Sequence, residues 1–77
     1  MKLKMTKHFQ DMIQFRGLNL EHVKQALNNP DEKDDVFDGK TRVKKDVGEK
    51  IIEVIYSKDN FRDEKEEYII ITAYYVK

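Results

Sequence analysis

Apolar residues recur with two different periods along this chain of 77 residues, and the change falls at its single proline, Pro30. Before it the spacing is helical. From Thr6 to Gly17, at about 100° per residue, Met5, Phe9, Met12 and Ile13 gather on one side of a helix. Thr6 suits the N-cap and Gly17 a left-handed C-cap. A second short helix follows at once. Asn19 caps it, Leu20, Val23 and Leu27 repeat at i, i+3 and i+7, and Asn28-Asn29-Pro30 stops it. His22 points away from that stripe and reads as a surface histidine. The two helices form a hairpin around Gly17-Leu18.

After Pro30 the period drops to two. Val36-Phe37 ahead of Asp38-Gly39 signals a β-hairpin whose second arm runs from Lys40 to Val47. Gly48-Glu49 turns the chain into a strand over 50–56, and a charged loop over 57–66 leads to a last strand over 68–76. The expected fold class is α+β: one domain over 1–77, with two N-terminal helices packed on one face of a twisted, mainly antiparallel four-stranded sheet. Alternation places Ile69, Ile71 and Ala73 on one face of the last strand and Ile70, Thr72 and Tyr74 on the other. A strand apolar on both faces needs cover on both, yet the end of a meander lies at an edge. Either the segment Lys2 to Met5 adds a short extra strand beside it, or another chain does.

Composition narrows the function classes. Fifteen basic residues balance fifteen acidic ones, so wholesale attraction to nucleic acid is not expected. Local clusters remain: Lys40, Arg42, Lys44 and Lys45 are basic, and Asp31-Glu32-Lys33-Asp34-Asp35 is mostly acidic. The chain has no cysteine, which excludes disulfides and thiolate chemistry. The opening residues lack an apolar h-region, and the longest apolar run is too short to span a bilayer. A cytoplasmic protein without membrane association is expected. No glycine-rich phosphate loop and no paired histidines at metal spacing occur, so neither a cofactor nor a metal is expected.

The sharpest candidate is Arg16, which falls at the centre of the first helix's apolar stripe, with His8 at its edge. A guanidinium there must meet a carboxylate, a carbonyl, solvent in a cleft or a ligand. In the last helical turn it also complements the helix dipole. In the hairpin's second arm, Arg42 and Lys44 share one face, and Val43, Lys45 and Val47 the other. Tyr56 shares a face with Ile52 and Val54 and reads as core. The hydroxyl of Tyr74 can emerge at the sheet end. Imidazole, guanidinium and phenol together suit metal-free cleavage of a phosphodiester. One group takes the proton of a 2′-hydroxyl, another protonates the leaving oxygen, and arginine stabilises charge on phosphorus.

The order Thr6-Lys7-His8, Arg16-Gly17, Asn29-Pro30 and Ile70-Ile71-Thr72-Ala73-Tyr74 resembles the domain-of-unknown-function 4258 family over nearly the whole chain. The resemblance implies kinship with the RelE/ParE-like toxins, whose two N-terminal helices lie against a twisted antiparallel sheet. RelE-like members cleave messenger RNA on the ribosome, and ParE-like members act on gyrase. His8, Arg16, Thr72 and Tyr74 match the family's recurrent positions, whereas Arg42, Lys44 and Lys45 rest on position alone. The neutral net charge departs from the strongly basic ribosome-dependent toxins.

Two expectations follow. The first is a metal-free endoribonuclease of toxin type acting on RNA, free or on the ribosome, with His8, Arg16 and Tyr74 catalytic and Arg42, Lys44 and Lys45 binding RNA. The second is a non-catalytic interaction module on the same scaffold. There Arg16 ties helix to sheet through a carboxylate such as Glu53, and the C-terminal strand receives an antitoxin protein or forms a homodimer.

Overall fold

Local capping chemistry sets the helical hairpin. In the computed structural model, which describes residues 2–4, 6–36, 38–59 and 67–76, α1 spans Lys7–Arg16 and α2 spans Leu20–Asn28. The Thr6 hydroxyl accepts the Phe9 N–H at 3.1 Å. Gly17 closes α1 at φ 61°, a left-handed conformation that costs glycine nothing. Asn19 then accepts the Glu21 N–H at 2.9 Å, so α2 starts after only Gly17, Leu18 and Asn19.

The strands β2 (Glu32–Asp35), β3 (Lys40–Asp46), β4 (Ile51–Asp59) and β5 (Glu67–Tyr75) form an antiparallel meander. A three-residue strand, β1 (Lys2–Lys4), pairs in parallel with the start of β5, giving the order β1-β5-β4-β3-β2. The β2–β3 corner uses Asp38 and Gly39 at φ 59° and 69°, the positive values that tight hairpins require. The hairpin arm expected at Val36-Phe37 lies earlier, over the charged Glu32–Asp35, because ladder pairing with β3 and not side-chain burial holds this edge strand. Met5, Phe37 and the loop residues 60–66 lie outside the described residues, and β4 runs through Asp59, beyond the end expected for it.

Both helices pack on one face of the sheet, α1 against β5 and α2 against β3 and β4. Phe9, Met12, Leu18, Val23, Ala26 and Leu27 meet Val43, Ile52, Val54, Tyr56, Ile70 and Ala73 in one buried cluster. Tyr56 is core, as its face indicated, and meets Tyr68 edge-on at 5.0 Å.

The last strand corrects the expected alternation. Ile55 pairs with Thr72 and Tyr56 with Ile70, so Ile71 is an extra residue in β5. This bulge reverses the parity of everything before it. Ile70, expected beside Thr72 and Tyr74, instead joins Ala73 in the core, and Ile71 is 37% exposed. Two apolar parities in one strand therefore serve one buried face.

Candidate functional site on the open sheet face

Register and alternation carry two rows of side chains across the face that the helices leave open. One row is Glu32, Lys44, Glu53 and Tyr74; the other is Asp34, Arg42 and Ile55, ending in register at Thr72, whose hydroxyl turns to α1 at the edge of the sheet. At the centre of the first row sits Glu53, a carboxylate only 5% exposed. The Tyr74 hydroxyl donates a hydrogen bond to its Oε2, and Lys44 Nζ lies 3.7 Å from its Oε1. A buried carboxylate needs such donors, since leaving it unpaired would cost several kcal/mol. The hydrogen bond to Glu53 raises the pKa of Tyr74 above the ordinary tyrosine value, with burial acting in the same direction.

Arg16 reaches this face around the edge of β5. Its Nη1 donates to the Ala73 carbonyl at 3.1 Å and lies 3.5 Å from the Thr72 hydroxyl, which in turn faces Met12 Sδ at 3.5 Å. The guanidinium carbon stands 5.9 Å from the centre of the Tyr74 ring, within cation–π range. Of the partners its position demanded, it meets a carbonyl, and the side chain is also exposed to solvent rather than buried in the stripe. The tie to Glu53 is indirect and passes through Tyr74. In the second row Arg42 Nη2 donates to Asp34 Oδ2 at 3.2 Å, while Arg42 Nε is buried without a hydrogen-bond partner among the described residues. The bond to Asp34 holds the guanidinium pKa above its already high value, and Glu53 adds to this.

The fold thus brings Arg16, Arg42, Lys44 and Tyr74 around one carboxylate. It does not bring His8 or Lys45 there. His8 is exposed on the first turn of α1, about 12 Å along the helix axis from Arg16. Lys45 turns to the other face and binds Asp31 Oδ1 at 3.3 Å; Asp31 Oδ2 also accepts the Asp46 N–H at 2.8 Å. Glu53 had a sequence signal: an acid at the centre of the apolar run Ile51 to Ile55, where a carboxylate is retained only if something meets it.

The chain matches no protein-family model, no curated protein and no solved structure.

A second polar group occupies the helix-covered side. His22, expected at the surface, is half-buried, with Nδ1 2.8 Å from the Tyr75 hydroxyl. The same oxygen accepts the Asn19 N–H at 3.1 Å, and Lys50 Nζ stands 4.6 Å over the Tyr75 ring. Which of the two donates in the His22–Tyr75 bond follows the imidazole tautomer, since the phenol oxygen can accept a second hydrogen bond beside the one from Asn19. His22, Lys50 and Tyr75 line an open cleft of about 330 Å³ with Val47, Gly48 and Glu49. Among the described residues, no group of three His, Asp or Glu side chains could hold a metal ion, and no helix is long and apolar enough to cross a membrane.

Proposed function

We propose that the open sheet face binds an RNA phosphodiester and cleaves it without a metal, as an endoribonuclease of the RelE-like toxin type. The observation that carries this reading is the Tyr74–Glu53 hydrogen bond flanked by Arg16, Arg42 and Lys44. A carboxylate and a phenol already joined by a proton can serve as base and acid of one reaction. Glu53 takes the proton of the 2′-hydroxyl as its oxygen attacks phosphorus, and Tyr74 protonates the departing 5′-oxygen. The products are a 2′,3′-cyclic phosphate and a 5′-hydroxyl. The new Glu53 carboxylic acid then returns its proton to the Tyr74 phenolate through the existing bond, restoring both groups. Arg16, Arg42 and Lys44 offset the charge that builds on the phosphoryl oxygens. His8 is left out of this chemistry by its distance along α1. The kinship suggested by Thr6-Lys7-His8, Arg16-Gly17 and the Ile70-to-Tyr74 segment supports the same reading.

The test is cleavage of labelled RNA, free and on translating ribosomes, in the presence of a chelator, with growth of an inducible bacterial host as a second readout. Tyr74→Phe and Glu53→Gln should each lower cleavage by about 100-fold or more while the protein stays folded. Folded variants that cut as fast as the parent would refute the assignment.

A second reading is favoured by exposed apolar side chains: Phe15 on α1 is 88% exposed, and Ile71 and Val76 are also open. In that reading the scaffold is a non-catalytic interaction module that meets an antitoxin or a second copy along β5. RNA left intact under every condition, together with a dimer in sedimentation that Phe15→Ser or Ile71→Ser dissolves, would select it.

A further inference from the structure

Asp34 accepts a hydrogen bond from the Arg42 guanidinium. It lies on β2, an edge strand of four residues whose side chains are all exposed. Backbone pairing alone places it directly across from Arg42, on the open face. Their contact is 3.2 Å between side chains that are 37% and 58% exposed, an ion pair that solvent screens and an incoming anion can displace. Among the described residues the buried Arg42 Nε–H has no partner, so Asp34 satisfies only part of the guanidinium fork. Next along β2, Glu32 is in register with Lys44, whose ammonium lies 3.7 Å from Glu53. Alternate strand residues stand about 6.7 Å apart. The strand therefore lays two carboxylates along the cationic strip, as two successive phosphates of an extended single strand would lie.

We propose that Asp34 is an internal competitor for the phosphodiester: in the free protein it holds the Arg42 guanidinium, and RNA must displace it to bind. It is an affinity-setting residue that touches Arg42 and not the reacting atoms. This rests on the sheet-face reading above and adds that β2 sets how tightly the face holds RNA. It also accounts for an RNA-binding strip on a chain of zero net charge, because the acids that cancel the strip lie beside it in the fold.

The test measures binding of a short, labelled single-stranded oligoribonucleotide with every 2′-hydroxyl methylated, so that it cannot be cut. Asp34→Asn and Asp34→Ala should tighten binding about two- to fivefold at low salt. Asp35→Asn is the control. It makes the same change in net charge one residue along, paired with Thr41 on the helix side of the sheet, and should have less than half the effect. Adding Arg42→Ala to Asp34→Asn should abolish the gain. Equal tightening by the Asp34 and Asp35 variants would overturn the proposal in favour of a general charge effect. No gain at Asp34, with Arg42→Ala still weakening binding, would overturn it while leaving the sheet-face site standing. Arg42→Ala without any effect would remove that site, and the competitor with it.

Discussion

Tyr74 and Tyr75 are consecutive residues of β5 whose hydroxyls serve opposite faces of the sheet. Tyr74 donates to the buried Glu53 on the open face, and Tyr75 holds His22 and the Asn19 amide on the helix-covered face. Strand alternation makes this division automatic. A single-residue slip in β5 would exchange the two rings and break both networks, so the register of this strand positions the candidate site and also anchors the hairpin.

Tyr74→Phe keeps the ring beneath Arg16 and removes only the hydroxyl. Glu53 stays buried with one donor fewer, and the expected loss is about 1–3 kcal/mol in urea denaturation at neutral pH. The pH dependence has a definite sign. Because the folded-state pKa of Tyr74 is raised, chiefly by its bond to Glu53, its contribution is complete below the ordinary tyrosine value of about 10. That contribution is lost as pH rises through the higher folded value. The parent should therefore lose its advantage over Tyr74→Phe only in that alkaline range; an advantage constant with pH would refute the bond.

The bulge at Ile71 predicts unequal costs for neighbouring residues of the same kind. Ile70 is almost fully buried, so Ile70→Ala should cost about 2–5 kcal/mol. Ile71→Ala, on a partly exposed residue, should cost about 0.5–1 kcal/mol. Equal costs in chemical denaturation would mean that the strand keeps plain alternation.

These two strand features mark where sequence reading holds and where it fails. Thr6, Gly17 and Asn19 disclosed the helical hairpin because capping is local chemistry, and alternation put Arg42 and Lys44 on the face they occupy. The bulge was hidden because Ile69 to Ile71 offers apolar side chains at every position, leaving no pattern to break. β2 was hidden because Glu32-Lys33-Asp34-Asp35 has no apolar face and is a strand only through its partner. At the site, Arg16 and Tyr74 were legible from their placement, but the central role of Glu53 depends on pairing β4 with both neighbours. The helix stripe alone turns His22 to the surface, because helical periodicity carries no sign of Tyr75 on β5, 53 residues away.

Asp31 should govern the acid limit of stability at the β2–β3 edge. Its carboxylate accepts the Asp46 N–H and meets Lys45, and the backbone bond is the main cause of its lowered pKa. A depressed carboxylate pKa stabilises the fold fully above the ordinary aspartate range, near 4, and that contribution fades as pH falls through the folded value. Asp31→Asn should therefore flatten the stability profile in that acid window and leave its alkaline limb unchanged. An acid limb identical to the parent's would show that Asp31 titrates alike in the folded and unfolded chains.

Tyr75→Phe tests the other face. The substitution preserves the aromatic ring beneath Lys50 but leaves the Asn19 N–H and His22 Nδ1 without their shared oxygen. The expected cost is about 1 kcal/mol, with faster amide exchange at Asn19 and through the first turn of α2. Nitrogen chemical shifts give a sharper readout. In the parent, a neutral imidazole with its proton on Nε2 would accept the phenol hydrogen at Nδ1, and Tyr75→Phe should remove that tautomer preference. Parent shifts that place the proton on Nδ1 would reverse the direction of the bond, making the imidazole the donor and freeing the Tyr75 hydrogen to face the cleft.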